Sequence, residues 1–297
     1  MNPAQHRLFP SDPNPERVAS LEAAIAEARA SLGDWTSAIP VGEGVYTRPP
    51  GIVPNSRLRK VLHVAQGAVA RPLAQCRVLD LGCLEGLIAI EFALQGAEVV
   101  GVEGRADSTA RANFARDLLG LDRLSFVCSD VRDVDIDQFG AFDIILCCGL
   151  LYHLDGRGVV EVLRRLQPMC IGGALIIDTH VALRPAVLFK HEGKTYSGIR
   201  FVEHDEKDSR EVQMGRHWAS IGNTTSFWPS RPALTNLLLD AGFSTVVESL
   251  GPAMELAQPS QVPNQERAIF IATSPALPAL STSPQPIPNL RLKDITG

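Results

Sequence analysis

A chain of 297 residues is long enough for one large domain with additions, or for two modest ones. With 45% hydrophobic and 21% charged residues it has an ordinary globular balance, and a net charge of −5 gives no electrostatic case for a nucleic-acid partner. No apolar run approaches a membrane span and the first residues lack a signal's hydrophobic region, so a soluble, cytoplasmic protein is expected.

Residues 1–14 are polar and proline-rich, and are expected to be loosely ordered. From Pro15 the apolar positions Val18, Leu21, Ala24, Ile25, Ala28 and Leu32 recur at helical spacing, and Gly33 stops the pattern. Stretch 34–53 is broken into turns by proline and glycine. A second helix is predicted from Pro54-Asn55-Ser56 to about Val69. Neither helix has a place in a sheet, so 1–72 reads as a helical N-terminal extension.

The stretch from Arg77 to Arg105, RVLDLGCLEGLIAIEFALQGAEVVGVEGR, is the organising centre of the chain. Val78-Leu79-Asp80-Leu81 is the kind of run a buried parallel strand requires. Gly82 ends it, and an apolar helix follows Gly86 and stops at Gln95-Gly96. A second apolar strand, Val99 to Val102, then ends on Glu103. This is one βαβ unit with glycines in the first turn and a carboxylate at the tip of the second strand. Glu103 can accept both hydroxyls of a ribose, which points to a nucleoside-containing cofactor. The turn Gly82-Cys83-Leu84-Glu85-Gly86 does not supply the G-x-G-x-x-G of a dinucleotide site. Glu85 would also sit badly beside a pyrophosphate and well near a cationic ligand.

A helix is expected over 106–119, a third strand over 124–128 with Asp130 just after it, and a polar loop carrying Asp133, Asp135 and Asp137. Phe142 to Cys148 is a continuous apolar strand, hence central. A helix over 156–168 leads through Gly172-Gly173 to a fifth strand, 174–180. Between His180 and Pro229 the periodicity weakens over about fifty residues. Short strands around 194–196 and 199–202 are expected there. A helix over 231–241 and strands over 243–250 and 266–273 complete the pattern, and 275–297 forms a proline-rich tail. The six cysteines show neither C-x-x-C nor zinc spacing, so they read as reduced, mostly buried thiols with no metal site.

Asp80-Leu81-Gly82-Cys83-Leu84-Glu85-Gly86 resembles motif I of the class I S-adenosylmethionine (SAM) dependent methyltransferases, D/E-x-G-x-G-x-G, with Leu84 in place of the middle glycine. Glu103, Asp130 and the run Phe142 to Leu154 (FDIILCCGLLYHL) resemble the supporting motifs in order and spacing. The resemblance covers about 78–274. It implies a Rossmann-like α/β fold, with a seven-stranded, mostly parallel sheet whose last strand is antiparallel. To this would be added the helical extension 1–72 and a lid insertion, 181–228, between the fifth strand and the last helix, within a core of 73–274. It implies SAM as cofactor, bound by Asp80, Gly82, Cys83, Glu85, Gly86, Glu103, Gly104, Arg105, Asp130, Val131, Cys148 and Gly149. Asp130 would accept from the adenine amino group. N-terminal additions in such enzymes commonly cover the mouth of the site.

Transfer to oxygen or nitrogen often needs a base, and histidine suits the task. His180 and His204 are the preferred bases. His153, in a Leu-Tyr-His-Leu run shared by relatives with varied substrates, reads more readily as structural. Glu203 and His217 lie in the insertion beside these candidates. Tyr152, His153, Asp178, Arg200, His217 and Trp228 are the expected acceptor contacts. The finer layout is similar to the tRNA wobble-uridine carboxymethyltransferases, which use a carboxylated SAM derivative in a positively charged pocket. Here Arg200 is the one obvious arginine in the insertion's expected strands. A small-molecule acceptor of bacterial secondary metabolism therefore ranks first, and the tRNA type is the alternative. An NAD-dependent oxidoreductase or a non-catalytic SAM-fold binding protein ranks behind these, and a homodimer stays open.

Overall fold

The computed structural model describes residues 8–51, 56–170, 172–249 and 266–274. The expected tail at 275–297, the first seven residues and the predicted helix start at Pro54-Asn55 lie outside the described residues. Helix α1 (Pro15–Leu32) begins where Asn14 accepts from the N–H groups of Glu16 and Arg17, and it ends at Gly33. Leu21 and Ile25 on its buried face pack with Val41. The turn-rich stretch that follows holds a short hairpin, β1 (Pro40–Gly42) and β2 (Val45–Tyr46). Helix α2 (Ser56–Ala68) comes next.

The core alternates strand and helix. It runs β3 (Arg77–Leu81), α3 (Leu87–Leu94), β4 (Glu98–Glu103), α4 (Ala106–Leu119) and β5 (Leu124–Cys128). A short helix α5 (Ile136–Phe139) follows, where sequence pattern suggested only a polar loop; Asp135 caps it by accepting from Gln138 N–H. Then come β6 (Ile144–Cys148), α6 (Gly156–Met169) and β7 (Ala174–His180). The insertion carries β8 (Val187–His191), β9 (Lys194–Val202), α7 (Arg210–Gly215) and β10 (Thr225–Pro229). Helix α8 (Arg231–Asp240), β11 (Thr245–Ser249) and β12 (Arg267–Thr273) close the fold.

Seven strands form one sheet in the order β11-β12-β7-β6-β3-β4-β5. All neighbours in the chain's first five core strands pair parallel, and β12 runs antiparallel to both β7 and β11. This is the Rossmann-like mixed sheet expected from sequence. The reason for the continuous apolar runs is visible in β3 and β6. Leu79, Leu81, Ile145 and Cys147 join one core with α6 and α8, while Val78, Ile144, Leu146 and Cys148 join a second with α2 and α3. Both faces are covered, so no position can be polar without a specific role.

The insertion does not make two short strands. β9 is continuous from Lys194 to Val202 and lies between β8 and β10 in an antiparallel sheet. Gly198 hides this in the sequence. A Cβ there would lie 2.3 Å from the Trp228 carbonyl oxygen, so the position between the two expected strands has to be bare. All six cysteines are free, and five are buried. Among the described residues, no helix is long and apolar enough to cross a membrane.

Phe126 of β5 makes a sharp demand on the cofactor unit. Its ring lies where a Cβ on Gly86 (2.4 Å) or Gly101 (2.5 Å) would stand. Gly101→Ala should therefore destabilise the fold by about 1–3 kcal/mol. Trimming the ring with Phe126→Leu in the same chain should recover part of that loss, and urea denaturation of the two single variants and the double reads the coupling. Strictly additive losses would reject the contact.

Candidate active site

The sheet's order reverses between β3 and β6, where chain connections leave in opposite directions, and a crevice opens beyond their carboxyl ends. The cavity there has an empty volume of about 1140 Å³, its open mouth included. Its floor is the turn after β3. Gly82, Leu84 and Gly86 all have positive φ, at 65°, 52° and 82°. This winding points Leu84 N–H at Glu103 Oε2 (3.0 Å), while Arg105 N–H donates to Oε1 (2.9 Å). Each oxygen of the buried Glu103 carboxylate has one backbone donor and a lone pair to spare for a hydroxyl.

Asp80 is buried at the end of β3 and lines the cavity, and its Oδ2 has no partner. Burial pushes its carboxyl up to about 7, against smaller lowering effects from Ala89 N–H and Arg57. Arg57, from α2, also lines the cavity and lies against Gly149, where a Cβ would be 2.7 Å from its Nη2. The site thus holds a carboxylate short of a donor beside a guanidinium.

The opposite wall comes from the insertion. The guanidinium of buried Arg105 donates to the carbonyls of Met214 (3.1 Å), Arg216 (2.8 Å) and Ala219 (2.8 Å). Ile221 packs over Gly104 so closely that a Cβ there would be 2.4 Å from its Cδ1. His153 lines the cavity just past β6, with Nδ1 3.1 Å and 3.0 Å from the two carboxylate oxygens of Glu203. Glu203 is buried and also accepts from Ser220 N–H (3.0 Å) and Ser226 Oγ–H (2.7 Å).

A family model described as "Methyltransferase domain" matches residues 78–170. Over 160 residues the chain is 33% identical to a ubiquinone biosynthesis O-methyltransferase of Chromobacterium violaceum, covering 52% of this chain and 67% of that protein. The chain belongs to the class I SAM-dependent methyltransferases. It is also 49% identical over 131 residues to the 23S rRNA (uracil(1939)-C(5))-methyltransferase RlmD of Shewanella amazonensis, covering 43% of this chain and 28% of that protein. The chain spans 28% to 45% of the length of the first curated relatives it matches. In solved structures it is similar to the N-terminal domain of EvdMO1 in the presence of SAH and D-fucose. That likeness has a TM-score of 0.63 at 22% identity and covers 85% of this chain and 96% of that one.

The cofactor of this methyltransferase is SAM, and the residues present fit it. Glu103 offers acceptors for ribose hydroxyls, the unpartnered Asp80 oxygen calls for a cation such as the methionyl ammonium, and Arg57 offers a counter-ion for its carboxylate. Gly82, Cys83, Gly104, Val131, Cys148 and Gly149 also line the cavity.

Other expected contacts are placed differently. Glu85 is fully buried and turned away from the cavity. It accepts from Thr36 N–H (2.8 Å), Thr36 Oγ1–H (2.9 Å), Ser37 N–H (2.7 Å) and Arg111 Nε–H (3.1 Å), so its charge is already answered and no cationic ligand reaches it. Gly86 does not line the cavity; it gives room to Phe126. Asp130 lines it, but both carboxylate oxygens accept from Arg132. Burial raises the Asp130 carboxyl, and the bonds from Arg132 outweigh that and hold it below its ordinary value. Arg105 serves the loop with its guanidinium and Glu103 with its N–H.

Of the acceptor set, Tyr152, His153 and His217 reach the cavity. Asp178 is buried beneath Arg57 and Arg267, which both donate to it. Arg200 is exposed on β9 and Trp228 stacks on His180 and Phe201, all outside the cavity lining. The two preferred bases are also elsewhere. His180 lies between Trp228 and Tyr152, with Arg267 Nη1 donating to its Nε2 at 3.4 Å. Burial and then Arg267 push its pKa down, which makes it a poor proton acceptor. His204 is buried, with Nε2 bonded to the Ser220 carbonyl at 2.7 Å, which requires the proton on that nitrogen. Its Nδ1 faces Arg216 Nη1 at 3.2 Å, so no lone pair is left for an acceptor.

Sequence reasoning missed Arg57 and Arg132 in the lining. Arg57 is brought there by a helix outside the sheet, and nothing local to it signals the role.

Two outcomes follow for the cofactor half. Glu103→Ala should weaken SAM binding by about 2–3 kcal/mol, the worth of hydrogen bonds to a charged group; unchanged calorimetric affinity would reject the assignment. The second outcome concerns pH. In the folded chain Asp80 titrates at about 7, above its ordinary 3.8, so between these values the folded state keeps a proton that the unfolded chain has lost. The ligand-free protein should lose stability as pH rises through that window. SAM affinity should rise over the same window, because the cation needs the carboxylate, and level off above about 7. Asp80→Asn should flatten both profiles. Wild-type affinity that is equal at about pH 5.5 and about pH 7.5 would overturn the role.

Proposed function

We propose that this methyltransferase acts on an oxygen or nitrogen atom of a small molecule of the kind made in bacterial secondary metabolism, with His153 as general base. The observation that carries the reading is the His153–Glu203 pair in the cavity wall. An ionised carboxylate only accepts hydrogen bonds, so Nδ1 must carry the imidazole's proton and Nε2 keeps its lone pair. Bound SAM supplies a methyl group on a sulfonium, ready for in-line displacement. The chain's own task is then to align the acceptor, exclude water and take one proton. As the new bond to the methyl carbon forms, the acceptor's O–H or N–H proton passes to His153 Nε2, and Glu203 stabilises the resulting imidazolium.

The curated relative named for ubiquinone biosynthesis, an O-methyltransferase by its name, supports an oxygen acceptor. The rRNA methyltransferase keeps an RNA acceptor in view, but the net charge of −5 and a cavity walled by the insertion speak for a small molecule. The division into an extension over 1–72, a core over 73–274 and a tail over 275–297 is part of the same reading. For the extension alone it is supported by Ser37 and Arg57, which reach the cavity from outside the core.

Methyl-labelled SAM incubated with panels of phenols, sugars and amines, and with total RNA, tests the acceptor class. Label should enter a small molecule. On that substrate His153→Gln should lower kcat by about 10²–10⁴, the usual worth of a general base, while SAM affinity changes little. Label in RNA alone would sink the small-molecule reading. Full kcat in the variant would leave an enzyme that only positions its acceptor.

A further inference from the structure

The loop before β10 is fastened at two points on opposite sides of the cavity. Beside Glu103, the Arg105 guanidinium holds the carbonyls of Met214, Arg216 and Ala219, and Ile221 sits on Gly104. One residue past Ala219, the grip changes sides. Ser220 N–H donates to Glu203 Oε2 at 3.0 Å, and Asn223 Nδ2–H donates to the His153 carbonyl at 3.0 Å. The Ser220 carbonyl accepts from His204 Nε2–H at 2.7 Å, so this residue is pinned on both its backbone polar groups. The same short loop therefore covers the ribose end of the cofactor site and completes the environment of the base's partner.

We propose that Glu203 is a positioning residue that fixes His153 in its Nδ1–H tautomer only while the 214–223 loop is closed over the cofactor, which couples cofactor occupancy to proton removal. The inference rests on reading His153 as the base, and deepens it. Four donor contacts converge on the two Glu203 oxygens, two of them from the His153 Nδ1–H. Burial raises the Glu203 carboxyl, and the bonds from His153, Ser226 and Ser220 outweigh it and hold the group below its ordinary value. A dry, ionised carboxylate dictates which imidazole nitrogen is protonated. When the loop lifts, the Ser220 donor leaves and water replaces it. A hydrated carboxylate imposes its geometry far more weakly. A neutral imidazole left to itself favours the proton on Nε2, the nitrogen that has to be bare for catalysis.

The arrangement also accounts for His204, whose buried ring has no access to an acceptor. It holds the Ser220 carbonyl on one side of that residue's Cα, while Arg105 holds the Ala219 carbonyl, which shares a peptide plane with the Ser220 N–H that meets Glu203. Proton removal before the methyl donor is enclosed would be wasted, and this linkage prevents it.

The test needs no acceptor. Long-range 15N–1H correlation of 15N-histidine-labelled full-length protein at about pH 8 reports the His153 tautomer directly. With S-adenosylhomocysteine bound, the wild type should show Nδ1 protonated and Nε2 bare. Glu203→Ala should move most of the population to Nε2–H. Arg105→Lys leaves Glu203 and His153 untouched but cannot span three carbonyls. It should speed exchange of the Ser220 amide by about tenfold or more and shift His153 toward Nε2–H in parallel. If Glu203→Ala does not fold, the lysine variant alone decides. Nδ1 found bare in the wild type overturns the role of Glu203. A Ser220 amide that stays protected in Arg105→Lys, or one that is freed with His153 unchanged, overturns the coupling. Loss or retention of turnover in His153→Gln reports separately on whether His153 is the base.

Discussion

A carboxylate removed from water must be answered by donors, and four carboxylates at the carboxyl edge of the sheet decide where the rest of the chain goes. Glu85 is answered by Thr36, Ser37 and Arg111, which fixes the segment after α1 against the cofactor turn. Asp178, at the end of β7, is answered by Arg57 of α2 and Arg267 of β12, which ties the extension to the last strand. Glu203 is answered by His153, Ser220 and Ser226, which seats the insertion. Removing one partner from such a group generally costs about 3–5 kcal/mol, so each addition is held by more than packing. Asp80 is the exception. One of its oxygens is buried with no partner, on the wall of the cavity where a cationic group of a ligand would answer it.

Much of this was legible in the sequence, for a physical reason. β3, β4, β6 and β7 are buried on both faces and the helices are apolar on their inner side, so local pattern alone marks these strands in chain order. Asp80, Gly82 and Glu103, which line the cavity, sit at strand ends that the same pattern locates. The choice of base among the histidines was not legible, because it depends on pairing at a distance. Glu203 lies fifty positions from His153, and a histidine's chemistry is set by what its other nitrogen meets. His180 and His204 looked suitable by position, and Arg267 and the Ser220 carbonyl withdraw them. Arg57 was invisible for the same reason, since its role comes from the docking of α2.

Leu84 shows what the cofactor turn sacrifices in local comfort. A leucine at φ 52° occupies a region that costs an L-residue roughly 1–2 kcal/mol and that glycine adopts freely. The family pattern has glycine at this position. The strain persists because only this winding brings Leu84 N–H to Glu103 Oε2 while Gly82 and Cys83 N–H both donate to the Val102 carbonyl. The turn and the tip of β4 are thereby locked into one rigid piece, with the Glu103 carboxylate oriented before any ligand arrives. In return the leucine side chain adds an apolar surface to the cavity that a glycine would leave open. Orientation of the acceptor oxygens is set by backbone, and shape by a side chain, so the two can vary independently. That is how one strand-end carboxylate can keep its role while the residue facing the ligand changes.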